Sequence, residues 1–247
     1  MCGKALLGKG KVFVLRKLFL KGMYHGIPIA LGYLSVSFGF GIMAVKAGLS
    51  IAAAVGISVT NLTSAGQAAG VTVIAAGGTL VEMILTQFVI NIRYALMGLS
   101  LSQKLDKSFT TPKRLIASFG ITDEIFAVAS AYPGRLSPYY MYGLITVAFI
   151  GWGGGTLLGS AAGQFLPQNI TDAMGIVLYG MFLAIIIPPA KKHRSVLAVV
   201  VVAALFSVLF KYLLTAISGG FAVIISAVAA SAVGALFFPV KDEEESP

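Results

Sequence analysis

The sequence predicts an all-α, polytopic transmembrane helix bundle, and three observations carry that prediction. Apolar residues make up 57% of the 247 positions and charged residues 11%, with a mean hydropathy of +0.92, a balance that water-soluble domains of this length do not show. The apolar residues fall into runs of roughly 20, the length that crosses a hydrocarbon core. The cations sit in the short connections between those runs, so the net charge of +9 marks loops facing an anionic leaflet rather than a nucleic-acid surface.

Taken in order, residues 1–22 carry Lys4, Lys9, Lys11, Arg16, Lys17 and Lys21 and lack an apolar stretch followed by a small-residue cleavage site. They read as an uncleaved, basic cytoplasmic segment. Gly3 to Lys9 spells G-x-x-x-x-G-K, but Gly10 stands where a phosphate loop needs Ser or Thr, and no strand precedes it. A single transmembrane domain is expected over 23–240, with apolar runs at 25–46, 51–76, 79–101, 115–132, 138–163, 174–190, 195–214 and 219–239. Within 138–163, Gly151, Gly155, Gly159 and Gly163 recur every four residues and leave one face bare for close helix contact. Trp152, Tyr139, Tyr140 and Tyr142 suit an interfacial belt. Residues 241–247 form an acidic tail, expected in the cytoplasm like the N-terminus.

The basic residues constrain how these runs cross. With the N-terminus inside and eight full crossings, the 102–114 loop (Lys104, Lys107, Lys113, Arg114) falls outside, whereas Arg135 and the 191–194 cluster fall inside. Six full spans plus two broken or re-entrant segments place every basic group on one side. In that arrangement 51–76 opens near Ser64-Ala65-Gly66, and 115–132 enters and leaves from the cytoplasmic face. Seven or eight full spans with one violation is the competing arrangement. Backbone leaves the helix at membrane depth only inside protein or along a wet cavity, so broken segments point to a permeation site.

Four of the nine acidic residues lie in the tail, which makes each acid in the body informative. Arg93, in the run Asn91-Ile92-Arg93-Tyr94, lies deep in the 79–101 segment, where a mid-helix arginine costs at least about 2.5 kcal/mol and needs an acceptor. Glu82 shares its stripe but sits about 16 Å away along the axis, too far to pair. The remaining deep acids are Asp123 and Glu124, which serve either as a structural partner of Arg93 or as carriers of a coupled proton. Asn91 and Tyr94 either glue helices together or line a path. In Thr60-Asn61-Leu62-Thr63-Ser64-Ala65-Gly66-Gln67, small and polar residues replace the usual apolar ones. A helix starting there directs its positive dipole end at a carboxylate, with Asn61, Ser64, Gly66 and Gln67 as candidate ligands, unless the run only packs helices.

The single cysteine, Cys2, leaves no disulfide, thiolate cage or CxxC pair. His25 and His193 are the only histidines, and both are placed at helix ends, so an intramembrane metalloenzyme has no ligand set. No enzyme activity, metal or cofactor is expected. A transporter is the leading reading, with a passive channel or a membrane scaffold as the alternatives.

The order Gly26-Ile27-Pro28-Ile29 with Gly32-Tyr33, then Ser64-Ala65-Gly66-Gln67, Asn91-Ile92-Arg93, Thr122-Asp123-Glu124, and Trp152 through Leu157-Leu158-Gly159 resembles the AzlC family of branched-chain amino acid exporters, from about residue 22 to 190. The resemblance implies a permease in the cytoplasmic membrane that exports valine, leucine, isoleucine and often methionine. It also implies a separately encoded, small hydrophobic AzlD-type subunit as partner. Two departures bear on cargo: Gln67 is followed by Ala68 and Ala69 without an aromatic residue, and Tyr94 replaces the usual histidine after Arg93.

Overall fold

A computed structural model of the chain describes residues 2–163, 165, 167, 169, 180, 183 and 186–238, with side chains from residue 13 onward. The helices are α1 (Cys2–Lys46), α2 (Ile51–Thr60), α3 (Ser64–Ala75), α4 (Leu80–Asn91), α5 (Arg93–Ser102), α6 (Thr111–Phe119), α7 (Asp123–Ala131), α8 (Pro138–Ala162), α9 (Arg194–Tyr212) and α10 (Gly219–Phe237). Among the described residues, five stretches are long and apolar enough to cross a membrane: Phe13–Lys46, Leu80–Ser102, Pro138–Ala162, Arg194–Tyr212 and Gly219–Phe237. The expected span at 174–190 lies largely outside the described residues, and the acidic tail lies wholly outside them. Among the described residues the molecule is a helical membrane protein without strands, with one isolated bridge between Leu105 and Leu136.

The chain divides into two compact units, Met1–Gln67 with Asn91–Leu178 and Ala68–Ile90 with Tyr179–Pro247. In the first, α1 and α8 pack side by side and run parallel. Their contact is made of glycines: a Cβ on Gly22 would meet the Tyr140 carbonyl at 2.1 Å, one on Gly151 the Ala30 carbonyl at 2.4 Å, and one on Gly159 the Phe38 carbonyl at 2.0 Å. The four-residue repeat read in the sequence is therefore the seat of α1, and Gly22, Gly26 and Gly41 extend it from the other side. α1 starts well before the apolar run expected at 25–46. Its 34-residue apolar part, about 51 Å at helical rise, outlasts a bilayer core of about 30 Å. The end that carries Lys17 and Lys21 projects beyond the core.

Two hairpins pack against the α1–α8 pair from opposite ends. The connection after α5 pairs with the one before α8: Asp106 N–H donates to the Leu136 carbonyl at 2.9 Å, and Leu136 N–H to the Lys104 carbonyl at 2.8 Å. The α6–α7 hairpin therefore starts and ends at one face, where Lys21 Nζ lies 4.9 Å over the Tyr132 ring. Lys104, Lys107, Lys113, Arg114 and Arg135 gather there, as the re-entrant arrangement requires. The α2–α3 hairpin starts next to the far end of α1 and turns back within the bundle, because Gln67 Nε2 reaches Ser58 Oγ at 2.9 Å. Its break falls at Asn61–Thr63, not at Ser64-Ala65-Gly66. Asn61, at φ −145° and ψ 84°, ends α2, and Ser64 already opens α3. The polar cluster was the right region, but Ser64 to Gly66 are helical because the turn residues precede them.

The second unit contains residues 68–75 of α3, most of α4, and the α9 and α10 helices. Glu82, only 4% exposed, finds its role here: its carboxylate accepts from Ser218 Oγ at 2.5 Å and Gly220 N–H at 2.9 Å. It thus completes the N-terminus of α10, where a negative charge is favoured.

Candidate functional site

The site lies where the hairpin tips meet in the first unit, at the level of Tyr33 on α1 and Trp152 on α8. Those two rings pack edge to face, 5.0 Å apart at 76°. Trp152 is 2% exposed and so is no interfacial anchor; its indole N–H donates to Gln67 Oε1 at 3.0 Å. Gln67 passes the chain on to Ser58, whose hydroxyl lies 2.6 Å from Thr156 Oγ1. A buried amide with both ends occupied fixes the α2–α3 hairpin against α8. Tyr140, also read as interfacial, is fully buried, with its hydroxyl 2.8 Å from His25 Nδ1. His25 therefore sits inside α1, not at a helix end.

The other tip is anchored through its acids. Thr122 caps α7 by accepting the Ile125 N–H at 3.4 Å. Asp123 Oδ2 pairs with Arg93 Nη1 at 2.8 Å, and Arg93 Nη2 donates to Tyr94 Oη at 3.3 Å. Glu124 turns the other way: the Tyr33 hydroxyl is 2.5 Å from Glu124 Oε2 and 2.5 Å from Thr122 Oγ1. A phenol has one proton, which serves the carboxylate while the Thr122 hydroxyl supplies the second contact. The two acids that the sequence offered as interchangeable partners of Arg93 thus have separate tasks. Arg93 opens α5 one residue past the α4–α5 junction at Ile92, whose backbone stays helical at φ −56° and ψ −28°.

Between the tips lies a cleft of about 220 Å³ lined by Thr60, Asn61, Leu62, Thr63, Asn91, Tyr94, Ser118, Phe119 and Ile121. Both hairpin turns, at 61–63 and 120–122, border it. Thr63 Oγ1 donates to Asn91 Oδ1 at 2.5 Å and ties the first tip to the end of α4. A smaller chamber next to the cleft is lined by Tyr33, Leu62, Ser64, Tyr94, Thr122, Asp123, Glu124 and Trp152. Leu62 and Tyr94 line both spaces.

Of the residues singled out from sequence, Asn61, Asn91 and Tyr94 line the cleft, and Ser64, Tyr94, Asp123 and Glu124 line the chamber. Gly66 sits in the first turn of α3, and Gln67 is 1% exposed and committed to Ser58 and Trp152. Sequence reasoning named Tyr33 and Trp152 only within the motifs of the family resemblance, and Trp152 also as a belt residue, because both sit in apolar runs without a local polar signal; it passed over Ser58 and Thr156, which read as ordinary small residues. A larger cavity of about 410 Å³ in the second unit is lined by Phe210, Lys211 and Ser226 and, at the α9–α10 turn, by Thr215 and Ile217, with no carboxylate among its lining residues.

Residues 28–166, which contain every side chain of this site, match the model of the AzlC protein family. The chain belongs to the AzlC family. Among AzlC-like relatives it is 29% identical over 184 residues to the inner membrane protein YgaZ of Escherichia coli strain K12, covering 72% of this chain and 75% of that one. An uncharacterized membrane protein of Archaeoglobus fulgidus is 31% identical over 181 residues, 72% of this chain and 78% of its own. One of Helicobacter pylori is 26% identical over 201 residues, 78% and 86%. No solved structure matches the chain.

Proposed function

We propose that this AzlC protein is the large subunit of a secondary transporter that exports branched-chain amino acids (valine, leucine and isoleucine, with methionine) from the cytoplasm. The observation that carries the reading is the meeting of two half-spanning hairpins at one cleft. Interrupted helices place backbone N–H groups and dipole ends at membrane depth, where they bind polar substrate groups without a water shell. The N-terminus of α3 carries no acidic residue in its first turn and borders the chamber through Ser64. It suits a carboxylate, and Asn61 and Asn91 add side-chain polarity. Leu62, Phe119 and Ile121 offer apolar contact to an aliphatic side chain.

The reading includes a gradient-coupled mechanism, no catalysis, and insertion in the cytoplasmic membrane with both termini inside, since the basic face of the first unit then meets the anionic leaflet. It also includes a small hydrophobic partner of the AzlD type. In keeping with that, only 6% of the apolar window of α9 and 17% of that of α10 are buried within the chain. The test is efflux of labelled leucine from vesicles carrying the chain with and without its partner. Concentrative efflux that needs both chains supports the reading. Equilibration without concentration favours a channel, and no leucine dependence in any arm refutes the transporter.

A further inference from the structure

We propose that Glu124 receives the ammonium group of the substrate in the chamber beside the cleft, an assignment that rests on the amino-acid reading of the site. The charges at the tips do not balance: Arg93 contributes one positive charge, and Asp123 and Glu124 contribute two negative ones. Arg93 is spent on Asp123 at 2.8 Å. The Glu124 carboxylate, by contrast, is held by the neutral Tyr33 hydroxyl at 2.5 Å, and it forms no ion pair with any described residue. A carboxylate accepts at about four lone-pair sites, so Glu124 keeps acceptor capacity, and its charge meets no cation among the described residues.

The chamber has the size and walls of an ammonium site. Its free space of about 10 Å³ admits one water-sized group, and an –NH₃⁺ head is of that size. Tyr33, Tyr94 and Trp152 form its aromatic walls, and aromatic faces attract a desolvated cation. Because Leu62 and Tyr94 line both the chamber and the cleft, a substrate held by its ammonium at Glu124 directs its aliphatic chain into the cleft. Its carboxylate then stays in the cleft, beside Asn61 and Asn91. A guanidinium or a larger cation does not fit the chamber, so the site selects primary amines.

Trp152 is the single tryptophan of the chain and lines the chamber, so its fluorescence reports occupancy in the full-length protein in detergent. The probes are leucine, 3-methylbutylamine (ammonium without carboxylate), 4-methylpentanoate (carboxylate without ammonium) and sodium chloride. Saturable responses to leucine and to the amine, and none to 4-methylpentanoate at equal concentration, are expected. Glu124→Gln should weaken leucine and amine together by at least about tenfold, the loss of a charged hydrogen bond. Glu124→Asp, which keeps the charge, should weaken them less. The comparison of ligands on the unaltered protein stands even if Glu124→Gln does not fold. Amine binding that depends on Glu124 without leucine binding keeps the ammonium site and removes the amino-acid reading. Leucine binding without amine binding, or unaffected by Glu124→Gln, removes the ammonium site and keeps the reading. A response to sodium alone, or to no probe, overturns the proposal.

Discussion

Consider replacing Asp123 with Asn, and Arg93 with Gln, singly and together. The ions are 2.8 Å apart, with side chains 29% and 39% exposed. Two unit charges 4 Å apart attract by about 4 kcal/mol at an effective dielectric of 20, and partial exposure reduces the measurable effect to about 1–3 kcal/mol. The singles should differ. Arg93→Gln leaves Asp123 at the N-terminus of α7, where the helix dipole still returns about 0.3–1 kcal/mol. Asp123→Asn leaves the guanidinium with Tyr94 alone, and its Nε is already buried without a partner. The order of stability is therefore unaltered protein, then Arg93→Gln, then Asp123→Asn. At about 2–4 °C per kcal/mol for a chain of this size, Asp123→Asn lowers the midpoint of thermal unfolding in detergent by about 2–12 °C. The double variant, which strands no charge, recovers most of that loss. Losses that simply add in the double variant would refute the pairing.

Three further outcomes follow from the packing and topology. A Cβ at Gly159 would lie 2.0 Å from the Phe38 carbonyl and 2.7 Å from its Cα, so Gly159→Ala abolishes folded protein in size-exclusion profiles. Gly32→Ala, with nothing within 4 Å, is tolerated. Gln67→Ala strands the Trp152 indole and removes a partner of Ser58, at about 1–3 kcal/mol for an unsatisfied buried group, and lowers the unfolding midpoint without altering leucine affinity in the protein that folds. In a Cys2→Ser background, Ser108→Cys and Ser50→Cys react with an impermeant thiol reagent from opposite sides of the membrane, Ser108→Cys from the cytoplasm. Reaction of both from one side rejects the hairpin topology.

The fold was legible where physics acts locally. Apolar run lengths gave the spans, the four-residue glycine repeat gave the α1–α8 seat, and the placement of Lys and Arg required a segment that turns back. Turn position was less legible. The run from Thr60 to Gln67 is polar throughout, and its sequence does not say that the helix resumes at Ser64. The site was half legible. Arg93, Asp123, Glu124, Asn61, Asn91 and Tyr94 stand out because polarity is scarce in the membrane. Tyr33 and Trp152 do not, since an aromatic residue in an apolar run reads as core or belt until tertiary contacts place it. Glu82 shows the same limit: its partners, Ser218 and Gly220, lie more than 130 positions away in the chain.

The central claim is that substrate passes between the two hairpin tips. Leu62 and Ile121 line the cleft from the α2–α3 and α6–α7 hairpins respectively. The most direct test replaces both with cysteine in the Cys2→Ser background, co-expresses the chain with the proposed AzlD-type subunit, and follows labelled leucine efflux before and after a short, cleavable bifunctional thiol cross-linker. The account predicts efflux before treatment, loss of efflux on cross-linking, and recovery when the linker is cleaved, with neither single cysteine affected. Full-rate efflux through the cross-linked protein would contradict it.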